Sequence, residues 1–119
     1  MRYSYDAARL SIRYSESCLP TDVALAAALA PTLGRDETLR SELDLGGGAL
    51  GEAKHPLAYG ARAASNAAAG DADGARADLA EAVAVSDTTP TYYGSAWVAL
   101  APLLLESPRF GACPALENA

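Results

Sequence analysis

The stretch Pro56-Leu57-Ala58-Tyr59-Gly60-Ala61-Arg62-Ala63-Ala64-Ser65-Asn66-Ala67-Ala68-Ala69-Gly70-Asp71-Ala72-Asp73-Gly74-Ala75-Arg76-Ala77-Asp78-Leu79-Ala80-Glu81-Ala82-Val83 decides the fold. Leu57, Ala61, Ala64 and Ala68 recur at helical spacing and predict a helix from Pro56 to about Ala69. Pro56 suits its first turn, where a missing N–H costs nothing. Gly70-Asp71 is a tight break, and Asp71 or Asp73 caps a following helix that runs through Leu79, Ala82 and Val83. So short a connection makes the pair an antiparallel hairpin.

Working outward, the first helix is expected from about Tyr5 to Ser17, with Tyr5, Ala8 and Ile12 on one face and Asp6, Arg9, Arg13 and Glu16 on another. Pro20 ends it. Thr21 is the expected N-cap of a second helix striped by Leu25, Leu29 and Leu33 and stopped at Gly34. A short helix is expected from Asp36 to Leu43, then a flexible loop around Gly46-Gly47-Gly48. The last helix is expected from about Tyr93 to Glu106, with Tyr93, Trp97, Leu100 and Leu104 on one side and a kink or early end at Pro102. No strand pattern competes, so the fold class is all-α, built from antiparallel helical hairpins.

The chain of 119 residues supports one domain, residues 1–119. Half of it is apolar, and alanine dominates that half. Alanine favours helix and close packing but buries little area per residue. A net charge of −6 argues against nucleic acid or an anionic membrane as partner. Apolar runs are broken by Pro31 and Pro102 short of spanning length. The N-terminus has no signal-peptide layout. Neither a phosphate-binding loop nor a nucleophile elbow is present, and no cofactor or metal ion is expected. Cys18 and Cys113 are either two unrelated buried thiols or one long-range disulfide of a secreted protein. The lone His55, before Pro56, either lines a cleft edge and hydrogen-bonds a sugar or is a loop or cap residue, and the second reading is favoured.

Asp6 and Arg9 lie one helical turn apart, so the guanidinium can hold the carboxylate. Tyr5-Asp6-Ala7-Ala8-Arg9 at a helix start resembles a late motif of family-eight glycoside hydrolases. Tyr92-Tyr93-Gly94-Ser95-Ala96-Trp97, followed by Leu100 to Leu105 and Ser107-Pro108-Arg109-Phe110, resembles that family's closing helix. The resemblance implies that Asp6 is the general base of an inverting mechanism and that Arg9 orients it. It also implies that Tyr5, Tyr92 and Tyr93 contact sugar. Ser11 stands where the family usually has proline.

Those enzymes fold as a barrel of six helix pairs, so the resemblance implies about half of an (α/α)6 barrel, the C-terminal part of a longer chain. It further implies an oligo- or polysaccharide substrate, β-1,4-linked and cellulose-like, and a secreted or periplasmic parent. The family's general acid lies upstream of the Asp6 motif. Nothing marks Glu16, Glu42, Glu52 or Glu106 as its replacement, so the chain alone is expected to be inactive. Half a ring would leave apolar helix faces uncovered, and self-association through them is expected. The alternative is a non-catalytic peptide-binding module, because Ala68 to Ala84 resembles a tetratricopeptide-type hairpin.

Overall fold

Helix α4, Pro56–Ala68, is buried on every side: each residue from Pro56 to Asn66 is out of solvent. In the computed structural model, which describes residues 1–36 and 38–107, five further helices surround or follow from it: α1 (Tyr5–Ser17), α2 (Pro20–Ala28), the single turn α3 (Ala30–Leu33), α5 (Ala72–Thr88) and α6 (Tyr92–Glu106). The described residues form no strand, only two isolated bridges, and the fold is all-α. None of the described helices is long and apolar enough to cross a membrane.

Small side chains explain how one helix reaches so many neighbours. Ala61, Ala63 and Ala64 of α4 are fully buried, as is Ala75 of α5. A side-chain carbon at Gly60 would lie 3.5 Å from the Ala101 methyl, so α4 and α6 meet almost backbone to backbone. Two clusters fill the remaining space. Ile12, Leu57, Leu79, Trp97 and Leu105 belong to one; Leu33, Leu39, Leu43, Tyr59 and Val85 belong to the other.

The helix directions follow from contacts at the two ends. Tyr5 at the start of α1 meets His55 at the start of α4, and Ser15 near the end of α1 donates to the Ala64 carbonyl near the end of α4. Those helices are therefore parallel. Pro56 faces Gly94 and Gly60 faces Ala101, so α6 runs the same way. The turn at Gly70, left-handed at φ 87°, reverses the chain so that α5 lies antiparallel against α4. Asp71 caps α5 by accepting from the Gly74 N–H at 2.9 Å. Thr91 caps α6 in the same way, accepting from the Gly94 N–H.

Several expectations are corrected. The Asp36–Leu43 helix does not form. Leu39, Ser41 and Leu43 are buried while Thr38 is exposed and Arg40 and Glu42 are only partly covered, a period of two rather than 3.6. The segment is extended, with Tyr3 and Leu43 exchanging backbone hydrogen bonds at 2.8 and 2.9 Å. The glycine loop is organised rather than flexible: Asp44 Oδ1 accepts from the N–H groups of Gly46 and Gly48. Pro20, not Thr21, opens α2, because proline suits the first helical position and Leu19 takes the cap place. Within the expected leucine stripe Leu33 is buried in the core and Leu29 packs partly buried against it, but Leu25 is exposed and Ala26 is fully buried in its place. On α6 the buried face is Gly94, Trp97, Ala101 and Leu105, and the helix continues through Pro102 to Glu106. Cys18, exposed and left-handed at φ 65°, is disulfide-bonded; the expected pairing with Cys113 and the Pro108–Phe110 part of the closing motif lie outside the described residues.

Between α4 and α5 sits a buried ion pair. Arg62 and Asp78 side chains are 4% and 6% exposed. The guanidinium donates from Nε and Nη2 to the carboxylate, with the shortest contact 2.7 Å, and Asn66 Nδ2 donates to Asp78 Oδ2 at 3.0 Å. The guanidinium carbon lies 5.7 Å from the Tyr59 ring centroid, a further contact for the cation. The Tyr59 hydroxyl oxygen accepts from the Leu39 N–H at 2.9 Å and so pins the 34–55 connection to α4.

Removing the carboxylate alone strands the charge. Asp78→Ala is expected to lose about 3–5 kcal/mol in urea unfolding, whereas replacing Arg62 and Asp78 together by apolar residues of similar volume recovers most of it. Burial pushes the Tyr3 phenol up to about 12, with the Ser11 hydroxyl beside it working in the other direction. Neither hydroxyl meets hydrogen-bond geometry with any partner. Tyr3→Phe is therefore expected to leave thermal stability unchanged or raise it. It should also remove the part of the alkaline destabilisation that sets in above about pH 10, the usual tyrosine value.

Candidate functional site

The parallel arrangement of α1, α4 and α6 places three helix N-termini at one end of the molecule. Each brings a ring there. Tyr5 is the first residue of α1, His55 the N-cap of α4 and Tyr93 the second residue of α6. The Tyr5 and His55 rings meet edge-on with centroids 5.0 Å apart, and His55 and Tyr93 are tilted at 5.6 Å. Tyr93 then meets Trp97 edge-on at 6.2 Å, one turn further into α6. His55 is thus both a cap and a bridge between Tyr5 and Tyr93, two of the three tyrosines expected to contact sugar. Its Nδ1 accepts from the Leu57 N–H at 3.1 Å, which places the ring proton of the neutral form on Nε2.

Asp6 follows Tyr5 in the first turn of α1, where the helix dipole favours an acidic side chain. Arg9 Nη2 donates to Asp6 Oδ1. The Asp6 side chain is 94% exposed, and Arg9 is half exposed. As a surface pair it contributes at most about 0.5 kcal/mol to stability. Tyr92, at the first position of α6, is almost wholly exposed, while Tyr5 and Tyr93 keep about two-fifths of their surface in solvent. The structure therefore brings Tyr5 and Tyr93 together through His55. It sets Asp6 and Arg9 beside Tyr5 and leaves Tyr92 standing free of the rim's ring contacts. Among the described residues, Asp6 and Arg9 form no hydrogen bond to Tyr5, Tyr92 or Tyr93.

A ring chain with one wet edge and hydroxyls at two of its members can stack on the apolar face of a sugar and hydrogen-bond its rim. A carboxylate beside it, held by a guanidinium and open to water, can accept a proton from that water. Trp97 as the inner end of the ring chain was not foreseen as part of the site. Its spacing of four residues from Tyr93 is the signal that marks it. The Arg62–Asn66–Asp78 network was not foreseen either. Two polar residues four apart, Arg62 and Asn66, interrupt an otherwise alanine-rich helix, and that interruption is its trace in the sequence.

Burial lowers the pKa of His55 from its usual 6.5. The unfolded chain then binds the proton more readily than the folded one, so this group's stabilisation is complete above pH 6.5. It is lost as the pH falls from there through the folded-state value. Asparagine also caps helices. His55→Asn is expected to keep α4 intact and to reduce the loss of melting temperature between neutral pH and pH 5, read by circular dichroism. No protein-family model, curated protein or solved structure matches this chain.

Proposed function

We propose that this chain carries the base side and sugar-binding rim of an inverting glycoside hydrolase acting on a β-1,4-linked, cellulose-like glycan, as the C-terminal part of an (α/α)6 barrel. The observation that carries the reading is the meeting of Tyr5, His55 and Tyr93 where the parallel helices α1, α4 and α6 all begin. It supports the reading because the two stretches that resemble the family are far apart in sequence, and both tyrosines come to one rim with Asp6 beside them. The helices α1, α4 and α6 run parallel while α5 runs back against α4, an alternation of direction that a ring of helix pairs also uses.

In this reading Asp6 takes the proton of the attacking water while Arg9 holds the carboxylate. Tyr5 and Tyr93 flank the sugar, and Tyr92 reaches further along it. Inversion needs a second carboxyl about 6.5–9.5 Å from the first, with the water between them. That acid would come from a segment of the parent outside this sequence. Leu10 on α1 and Leu100 and Leu103 on α6 are exposed, and they are the apolar surface that further helix pairs, or a second copy of this chain, would cover. A peptide-binding repeat is less well supported, because α4 is covered throughout and keeps no free face for a groove.

Trp97 is the chain's single tryptophan and touches Tyr93, so its fluorescence is a direct reporter. Cellohexaose is expected to shift Trp97 emission, and Tyr93→Ala to abolish the shift. Asp6→Asn should leave binding within about threefold, since the base acts on water rather than on ground-state sugar. The isolated chain should not hydrolyse carboxymethylcellulose. A folded chain whose Trp97 emission ignores cellohexaose would sink the rim assignment. Hydrolysis that disappears in Asp6→Asn would overturn the need for an external acid.

A further inference from the structure

His55 is the middle ring of the aromatic rim. It meets Tyr5 of α1 edge-on at 5.0 Å and Tyr93 of α6 at 5.6 Å, and Tyr93 in turn meets Trp97 at 6.2 Å. The same ring caps α4, because Nδ1 accepts from the Leu57 N–H at 3.1 Å. A backbone N–H can only donate, so this contact requires an unprotonated Nδ1. One nitrogen therefore holds the ring that joins the two tyrosines. The His55 backbone is extended, at φ −150° and ψ 141°, and the proline that follows keeps it there. Two donors facing each other at Nδ1 would thus be relieved by rotation of the side chain, not of the backbone.

The surroundings disfavour a proton on that ring. The N-termini of α1, α4 and α6 converge on it, and each carries the positive end of a helix dipole. On α1, Asp6 is exposed and engaged by Arg9. On α4 the first charged residue is Arg62, which Asp78 neutralises, and on α6 it is Glu106 at the far end. Lys54, beside His55 in the chain, and Asp87, near the end of α5, are exposed. The phenols of Tyr5 and Tyr93 are in ring contact with the imidazole. None of the described carboxylates forms an ion pair with His55. Burial lowers its pKa from the usual 6.5. We propose that His55 is a proton-operated positioning residue: when Nδ1 takes a proton from solvent, the ring leaves the Leu57 N–H, the Tyr5–His55–Tyr93 contact opens, and the rim loses its hold on sugar. The loss of sugar rests on the glycan-binding reading of the rim; the opening of the ring chain does not. On the acid side of the His55 transition, sugar affinity falls about tenfold per pH unit, since only the neutral fraction is competent.

Trp97 emission, followed across pH with circular dichroism to confirm that the helices stay formed, tests this. The free chain is expected to show a one-proton step with its midpoint below pH 6.5, and the imidazole ¹⁵N resonances of His55 to titrate with the same midpoint. The dissociation constant for cellohexaose should rise on the acid side of it. Asparagine caps a helix without titrating, so His55→Asn is expected to remove the step and leave cellohexaose affinity flat over the same range. Asp6→Asn should keep the step, which excludes the neighbouring carboxylate as its source. The proposal is overturned if the His55 resonances titrate without a change in Trp97 emission, or if the step persists in His55→Asn or vanishes in Asp6→Asn. It is equally overturned if affinity falls alike in the parent and His55→Asn chains. A His55-dependent step in a chain whose Trp97 emission ignores cellohexaose at every pH sinks the glycan reading of the rim and upholds the switch in its rings.

Discussion

The complete burial of α4 is the constraint on which the other elements depend. A helix can be enclosed by α1, α2, α5 and α6 only if its own side chains are short, and alanine and glycine supply that. Alanine buries little area, so the stabilisation comes from many close contacts around one axis rather than from a few large side chains. The larger residues Ile12, Leu57, Tyr59, Leu79 and Trp97 are buried among the helices in the two core clusters. Enlarging a residue on α4 would move a helix, because backbone and methyl group already stand at contact distance where Gly60 meets Ala101.

Enclosure of α4 also explains why a charged pair sits in the interior. Arg62 and Asn66 lie on a helix with no solvent-facing side, so their polar groups must be answered within the protein. Asp78 answers most of them. Its carboxylate ties α5 to α4 in one register, and Tyr59 extends the link to the extended segment at Leu39. The buried pair need not add stability, since desolvating two charges offsets much of their attraction. It disfavours any packing in which α5 slides along α4, because sliding would strand both charges.

The candidate rim depends on the same arrangement. Tyr5, His55 and Tyr93 come from helix starts 38 or more positions apart in the chain, and they meet because α1 and α6 both run parallel to α4. Part of this was legible beforehand. The Tyr5-Asp6-Arg9 spacing marked a helix start with a held carboxylate, and the Tyr92-Tyr93 pair marked another. Their convergence was not legible, because residue spacing carries no information about which helices run side by side. His55 was readable as a loop or cap residue but not as the ring between two tyrosines. The Arg62–Asn66–Asp78 network was unreadable for a similar reason, since its donors lie on α4 and its acceptor on α5.

Local chemistry determined the helices themselves. The proline start of α4, the Gly70-Asp71 reversal and the Asp71 cap all follow from residues acting within a few positions of themselves. Tertiary structure decided what those elements face. Leu39 and Leu43, four apart, fit a helix, yet the segment is extended, because pairing with Tyr3 and burial of Ser41 reward a period of two. On α6 the buried face turned from Leu100 and Leu104 to Ala101 and Leu105, because the smaller Ala101 lets α6 approach Gly60. Propensity and capping act over a few residues and are written in the chain. Which face of an alanine-rich helix is buried depends on the shape of its neighbours, and only the assembled structure supplies that.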